Sequence, residues 1–151
     1  MLTIKLSPSF YKANGTIIST RFIIEDGINW RICRLVKISD NSIIGSMYLF
    51  VDTFVTNPHV EIELLRNYTT EDNENKINNI GRFLINEAFL YSIEKNCCGR
   101  LCVKTKTRNH NYYKNIGFEA TYFFDQDNII MYLSYNTIIK WLNKISLKSR
   151  L

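Results

Sequence analysis

Lys76, Asn79, Gly81 and Arg82 precede and open the apolar-periodic run IGRFLINEAFLYSIEKN. The first backbone N–H groups of a helix have no carbonyl partners within it and lie at the positive end of its dipole, so such a start accepts a diphosphate. Gly81 allows close approach, and Asn79 is among the few non-glycine residues that tolerate a left-handed backbone. Lys76 and Arg82 add positive charge. The competing reading is a glycine packed against a sheet beside two solvated cations. In the run HVEIELL the two-residue period of a strand puts Glu61 and Glu63 on one face and Val60, Ile62 and Leu64 on the other. Carboxylates on a central strand are costly unless they line a cleft; an exposed strand face is the alternative. His59 starts the strand and is the weaker candidate. Cys33, Cys97, Cys98 and Cys102 form no paired C-x-x-C arrangement, and two histidines complete no zinc-ligand set, so no metal is expected. Cys97 and Cys98 fall at a helix C-terminus, where the negative end of the dipole disfavours a thiolate.

The elements that must position these residues follow from periodicity. Three strands, RICRLVKI, SIIGSMYLFV and HVEIELL, are separated by Ser39-Asp40-Asn41-Ser42 and by Asn57-Pro58, and an antiparallel meander joins them most simply. Residues 66–79 are polar and acidic and read as a loop. From Ile80 the apolar residues Leu84, Ala88 and Tyr91 recur at helical spacing, widened by Phe83, Ile85, Phe89 and Ile93. The helix ends between Asn96 and Gly99, and RLCVKT is a strand of the kind that follows a crossover helix. A short helix before Gly117, a left-handed cap there, a hairpin of FEATYFFD and NIIMYLSY turning at Gln126-Asp127, and a basic amphipathic helix at about 137–148 complete the chain. The reading is α/β (α+β): a mixed, largely antiparallel central sheet flanked by helices.

At 151 residues, with 46% apolar and 13% aromatic residues, the chain fits one folded domain spanning 1–151, with no disordered tract or internal repeat. No apolar run reaches membrane-spanning length and no signal-peptide core is present, so a cytoplasmic location is expected. The net charge of +5 favours an anionic partner without choosing one, and since no nucleic-acid signature accompanies it, no nucleic acid is expected.

Two blocks, NNIGRFLINEAFLYSIEKN followed by RLCVKT, and NYYKNIGF, give residues 60–118 a resemblance to the GCN5-related N-acetyltransferase (GNAT) family. That family carries a loop Q/R-x-x-G-x-G/A opening a long helix, then a strand and Y-x-x-x-G-F. Here the pieces are Lys76-x-x-Asn79-x-Gly81 and Tyr113-x-x-x-Gly117-Phe118, with Lys for Gln or Arg and Asn for Gly. The resemblance implies a GNAT-like acyl-CoA acyltransferase fold and acetyl-coenzyme A (acetyl-CoA) as co-substrate. It implies cofactor contacts from Leu64, Leu65, Lys76, Asn79, Ile80, Gly81, Arg82 and Asn109, with Asn111 as a further candidate. It also implies a general base on the strand, Glu63 before Glu61, and Tyr113 as proton donor to the departing thiolate, in direct attack by a primary amine of a small molecule, peptide or protein. Tyr113 as a packing aromatic is the alternative.

The family usually continues its first strand into one or two helices that shape the acceptor pocket. After LTIKLS this chain lacks a helical period, and TIISTRFII looks extended, so no acceptor is named. Two functions therefore stand: an acetyl-CoA-dependent N-acetyltransferase, or a non-catalytic binding module using the altered loop or the terminal helix. That helix reads as docking Trp141 and its Ile/Leu face on the domain, or as a membrane-surface, partner or homodimer contact.

Overall fold

In a computed structural model, the described residues are 1–7, 9–53, 56–69, 76–123 and 127–150. Strands β1 (Leu2–Leu6), β2 (Phe10–Tyr11), β3 (Ile17–Ile18), β4 (Thr20–Asp26), β5 (Trp30–Lys37), β6 (Ile43–Asp52) and β7 (His59–Asn67) precede helix α1 (Ile80–Glu94). After it come β8 (Leu101–Lys106), a 3-10 turn (Thr107–Asn109), α2 (His110–Ile116), β9 (Phe118–Phe123), β10 (Asn128–Leu133) and α3 (Tyr135–Arg150). Eight strands hydrogen-bond in the order β1-β4-β5-β6-β7-β8-β10-β9, and β2 pairs β3 separately. The β1–β4, β4–β5, β5–β6, β8–β10 and β9–β10 pairs are antiparallel. The connection from β7 through α1 to β8 is a crossover, the kind that parallel neighbours require, so the sheet is mixed and largely antiparallel as the sequence implies.

The chain forms two compact units, each discontinuous in sequence: residues 1–50 with 62–87, and residues 51–61 with 88–151. In the first unit Phe22, Ile24, Cys33, Leu35, Met47, Leu49 and Ile62 are buried with Ile80, Leu84 and Ile85 of α1. Phe83 takes Phe10 and Phe22 edge-on, at ring separations of 5.5 and 5.2 Å. Among its described residues the segment after β1 contains no helix, as its missing period indicates, and its short β2–β3 ladder carries Phe10 onto α1. In the second unit the core is Ala88, Phe89, Tyr91, Leu101, Val103, Ile129, Met131 and Phe118. Trp141 of α3 rests edge-on against Phe89 at 5.2 Å, and Ser134 caps that helix by accepting the Thr137 N–H at 3.2 Å.

Two expectations shift. Strand β7 extends through Arg66 and Asn67, which the sequence assigns to the loop, because Tyr68 still donates its N–H to the Ile44 carbonyl at 3.0 Å. Gly117 does cap α2, its N–H reaching the Tyr113 and Lys114 carbonyls, but with φ 130° rather than a left-handed helical angle. A Cβ there would lie 2.4 Å from the Thr137 hydroxyl, so close approach as well as backbone freedom requires the glycine. The hairpin turn at Gln126 lies outside the described residues.

Candidate active site

Strand β7 is not regular. Leu64 has φ 51°, and a left-handed residue inside a strand interrupts the pleat as a β-bulge does. Val60 and Ile62 are fully buried, but Leu64, expected on their face, is 53% exposed. The interruption turns its side chain outward. A left-handed residue there breaks the regular pleat at Leu64 while β7 continues to Asn67. No glycine or asparagine marks the position, so the pattern HVEIELL concealed it.

The same unit builds the helix start. Asn67 fixes the strand end by accepting the Thr69 N–H at 2.9 Å and the Thr69 hydroxyl at 2.6 Å, and donates its amide to the Ile77 carbonyl at 3.1 Å. Thr69 in turn accepts the Ile77 N–H at 2.9 Å, and Asn78 donates to the Tyr11 carbonyl at 3.2 Å. Ile77 is buried, which anchors the segment. Asn79 then takes φ 69°, the left-handed conformation that its side chain tolerates, and its carbonyl accepts the Phe83 N–H at 3.0 Å. Ile80, Gly81 and Arg82 follow in the first turn, where helix geometry supplies their N–H groups with no carbonyl. No acidic side chain stands in that turn, and Lys76, Asn79 and Arg82 are exposed. These residues fit a diphosphate: oriented N–H groups, two cations and no carboxylate in the first turn.

Gly45 of β6 is a part of this arrangement that sequence reasoning missed. A Cβ there would lie 2.6 Å from Ile80 Cγ2 and 3.5 Å from Leu84 Cδ1, so only glycine lets the first turn of α1 settle on the strand. A glycine inside an otherwise apolar strand was the available signal.

The carboxylates divide. Glu61 Oε1 lies 3.1 Å from Lys104 Nζ and its side chain is 16% exposed, so its burial is offset by an ion pair with β8. Glu63 is half-buried, with no ion pair among the described residues. Buried His59 sits 3.9 Å from Asp52 and edge-on to Tyr132 at 5.5 Å.

In the second unit Tyr113 is only 5% exposed, packed edge-on against Phe118 at 5.6 Å and Tyr112 at 5.1 Å. Burial pushes its phenol well above the usual tyrosine range, the nearby Tyr112 adds to that, and a hydrogen bond with Thr105 opposes both. Asn109 donates to the Thr105 hydroxyl at 3.0 Å. Asn109, expected to touch a cofactor, is thus engaged with the residue that holds Tyr113. Cys33, Cys97 and Cys102 are buried and Cys98 is exposed, all unbridged. Desolvation raises the thiols of Cys33, Cys97 and Cys102, against a nucleophilic role for these three. Among the described residues no group of three or more potential ligands gathers to hold a metal, and no helix is long and apolar enough to cross a membrane.

No family model matches the chain, and no curated protein does. Solved structures share the fold. KacTA in complex with DNA superposes over 95% of this chain and 99% of its own at TM-score 0.59 and 16% identity. NAA60 of Arabidopsis thaliana in complex with acetyl-CoA superposes over 73% and 78% at TM-score 0.54 and 17% identity. An acyl-CoA N-acyltransferase from Pseudomonas aeruginosa superposes over 70% and 68% at TM-score 0.53 and 15% identity. The fold is that of the acyl-CoA N-acyltransferases, as the sequence resemblance to the GNAT family implies.

Proposed function

We propose that the chain is an acetyl-CoA-dependent N-acetyltransferase that acylates a primary amine by direct attack. The observation that carries this reading is the helix start of α1. Asn79 adopts the left-handed turn, the first turn itself carries no acidic side chain, and the interrupted strand at Leu64 precedes it in the same unit. The acetyl-CoA bound to NAA60 supports the choice of cofactor. In this reading Ile80, Gly81 and Arg82 offer N–H groups to the diphosphate, Lys76 and Arg82 add charge, and the backbone of Leu64 and Leu65 contacts the cofactor arm.

Acetyl-CoA, when bound, supplies the activated acyl group. The amine forms a C–N bond to the acyl carbon as the C–S bond breaks. Its surplus proton goes to a carboxylate, and the sulfur leaves with the electron pair. Glu63 is the better base, because Lys104 already occupies Glu61. Tyr113, held protonated by burial, acts as a hydrogen-bond donor to the thiolate. Its hydroxyl is far less acidic than a free thiol, so it stabilises the departing sulfur more than it surrenders a proton.

Isothermal titration with acetyl-CoA, followed by acetyl transfer to a panel of amines, tests the proposal. Saturable binding, weakened by Arg82→Ala and Lys76→Ala, with acetylation of at least one amine is expected. Absence of binding overturns the reading, and binding without transfer to any amine assigns the chain to the non-catalytic alternative.

A further inference from the structure

The first unit presents a sheet face that its core does not use. Across β5 and β6 the register pairs Trp30 with Phe50, Ile32 with Tyr48 and Arg34 with Ser46. The intervening Cys33, Leu35, Met47 and Leu49 are fully buried, whereas Trp30 and Phe50 are 36% and 42% exposed. In the segment after β1, Phe10 packs on Phe83 of α1.

Two hollows mark the face, and both include Tyr48. One, of about 260 Å³, is lined by Trp30, Ile32, Tyr48, Leu49, Phe50 and Arg31, the last ion-paired with Asp26. The other, of about 240 Å³, is lined by Arg34, Ser46, Tyr48, Leu64, Arg66 and Tyr68. The first is aromatic and apolar; the second gathers two guanidinium groups and three hydroxyls. Ser46 and Tyr68 are already hydrogen-bonded at 3.1 Å, which orders the hydroxyl side. Arg34 reaches Glu25 only at 3.6 Å, and the exposed Arg66 has no ion pair among the described residues. Leu64 enters this hollow because its left-handed backbone turns it outward, and Glu63 precedes it in the chain.

We propose that this face binds the acceptor, and that the acceptor is a primary amine carrying an oxyanion, carboxylate or phosphate, together with an apolar group. The proposal rests on the acyltransferase reading. Arg34 and Arg66 hold the oxyanion, since a guanidinium fork matches carboxylate and phosphate oxygens in pairs. Trp30, Tyr48 and Phe50 take the apolar group, where aromatic walls bury area at little entropic cost. Among the described residues Glu25 is already shared with Arg34, and Glu63, next to Leu64 in the chain, is the carboxylate we assign to the amine.

Calorimetric titration, with and without coenzyme A, of L-phenylalanine, O-phosphotyramine and the uncharged-tail analogue L-phenylalaninamide tests this. At least one of the two anionic amines should bind about tenfold or more tightly than the amide, and the better of them identifies the oxyanion. Arg66→Gln and Arg34→Gln should each abolish that preference while leaving the unfolding midpoint and acetyl-CoA affinity unchanged. Equal affinity for all three, no binding of any, or a preference that survives either substitution overturns the proposal. Because the readout needs no transfer, such a result leaves the acyltransferase reading standing. Failure of acetyl transfer with the anion preference intact counts against that reading instead.

Discussion

Tyr113 is a buried residue whose chemistry depends on burial. Desolvation raises its phenol against the opposing effect of Thr105, which Asn109 holds in turn. Tyr113→Phe keeps the packing on Phe118 and removes only that hydroxyl. Under the proposed mechanism, kcat should fall about tenfold to a hundredfold, with the Kd for acetyl-CoA within about twofold. An unchanged kcat leaves Tyr113 as a packing aromatic. The buried thiols give a second expectation. Cys33 and Cys102 are pushed up from 9.0 to about 12, chiefly by desolvation. Above pH 9 the unfolded chain releases both thiol protons while the folded chain keeps them, so the unfolded state binds fewer protons and stability falls as pH rises. Below the unfolded value both states are protonated and the effect vanishes. Between about pH 9 and pH 12 stability should therefore fall steadily as pH rises. Urea midpoints across that window check it, and Cys102→Ala should reduce the slope.

At the scale of elements, the helix start depends on two backbone devices. Asn79 occupies a left-handed angle that Ala resists by about 1–2 kcal/mol and Gly accepts freely. Asn79→Gly should therefore keep or improve both stability and acetyl-CoA affinity, while Asn79→Ala should lower them. If the two variants behave alike, the left-handed turn is not what the asparagine provides. Gly45 is the contact surface under that turn. Gly45→Ala forces its Cβ against Ile80, at an expected cost of about 1–3 kcal/mol and with weakened cofactor binding, read by chemical denaturation and titration. The left-handed Leu64 shows the same economy on the strand: one residue off the pleat changes which side chains face outward from β7.

At the scale of the whole molecule, β7 and α1 each contribute residues to both compact units. Unfolding either unit thus breaks an element on which the other depends. We expect one cooperative transition, with calorimetric and van't Hoff enthalpies equal; two separated transitions would show that the units are independent domains. Substituting Trp141→Ala should remove the edge-on contact with Phe89 and lower that single midpoint, because α3 is docked within its unit through this ring.

Much of this was already written in local sequence. Periodicity marked nearly every long element, because period two and period 3.6 are imposed by backbone geometry and need no knowledge of neighbours. The helix start from Lys76 through Asn79 to Arg82 was legible for the same reason: an unpaired first turn and a left-handed asparagine are local properties. The tertiary structure alone decided the rest. Leu64 turned outward although its residue type argued for burial, since a strand's pleat yields to the partners on either side of it. Glu61 was separated from Glu63 by a lysine 43 residues along the chain, and Gly45 was found under a helix 35 residues away. Tyr113 was placed in a desolvated pocket that spacing cannot show. The Glu61–Lys104 and Gly45–Ile80 contacts are long-range, and the energy of a charge, a close approach or a buried hydroxyl depends on what folding brings beside it rather than on residue type alone.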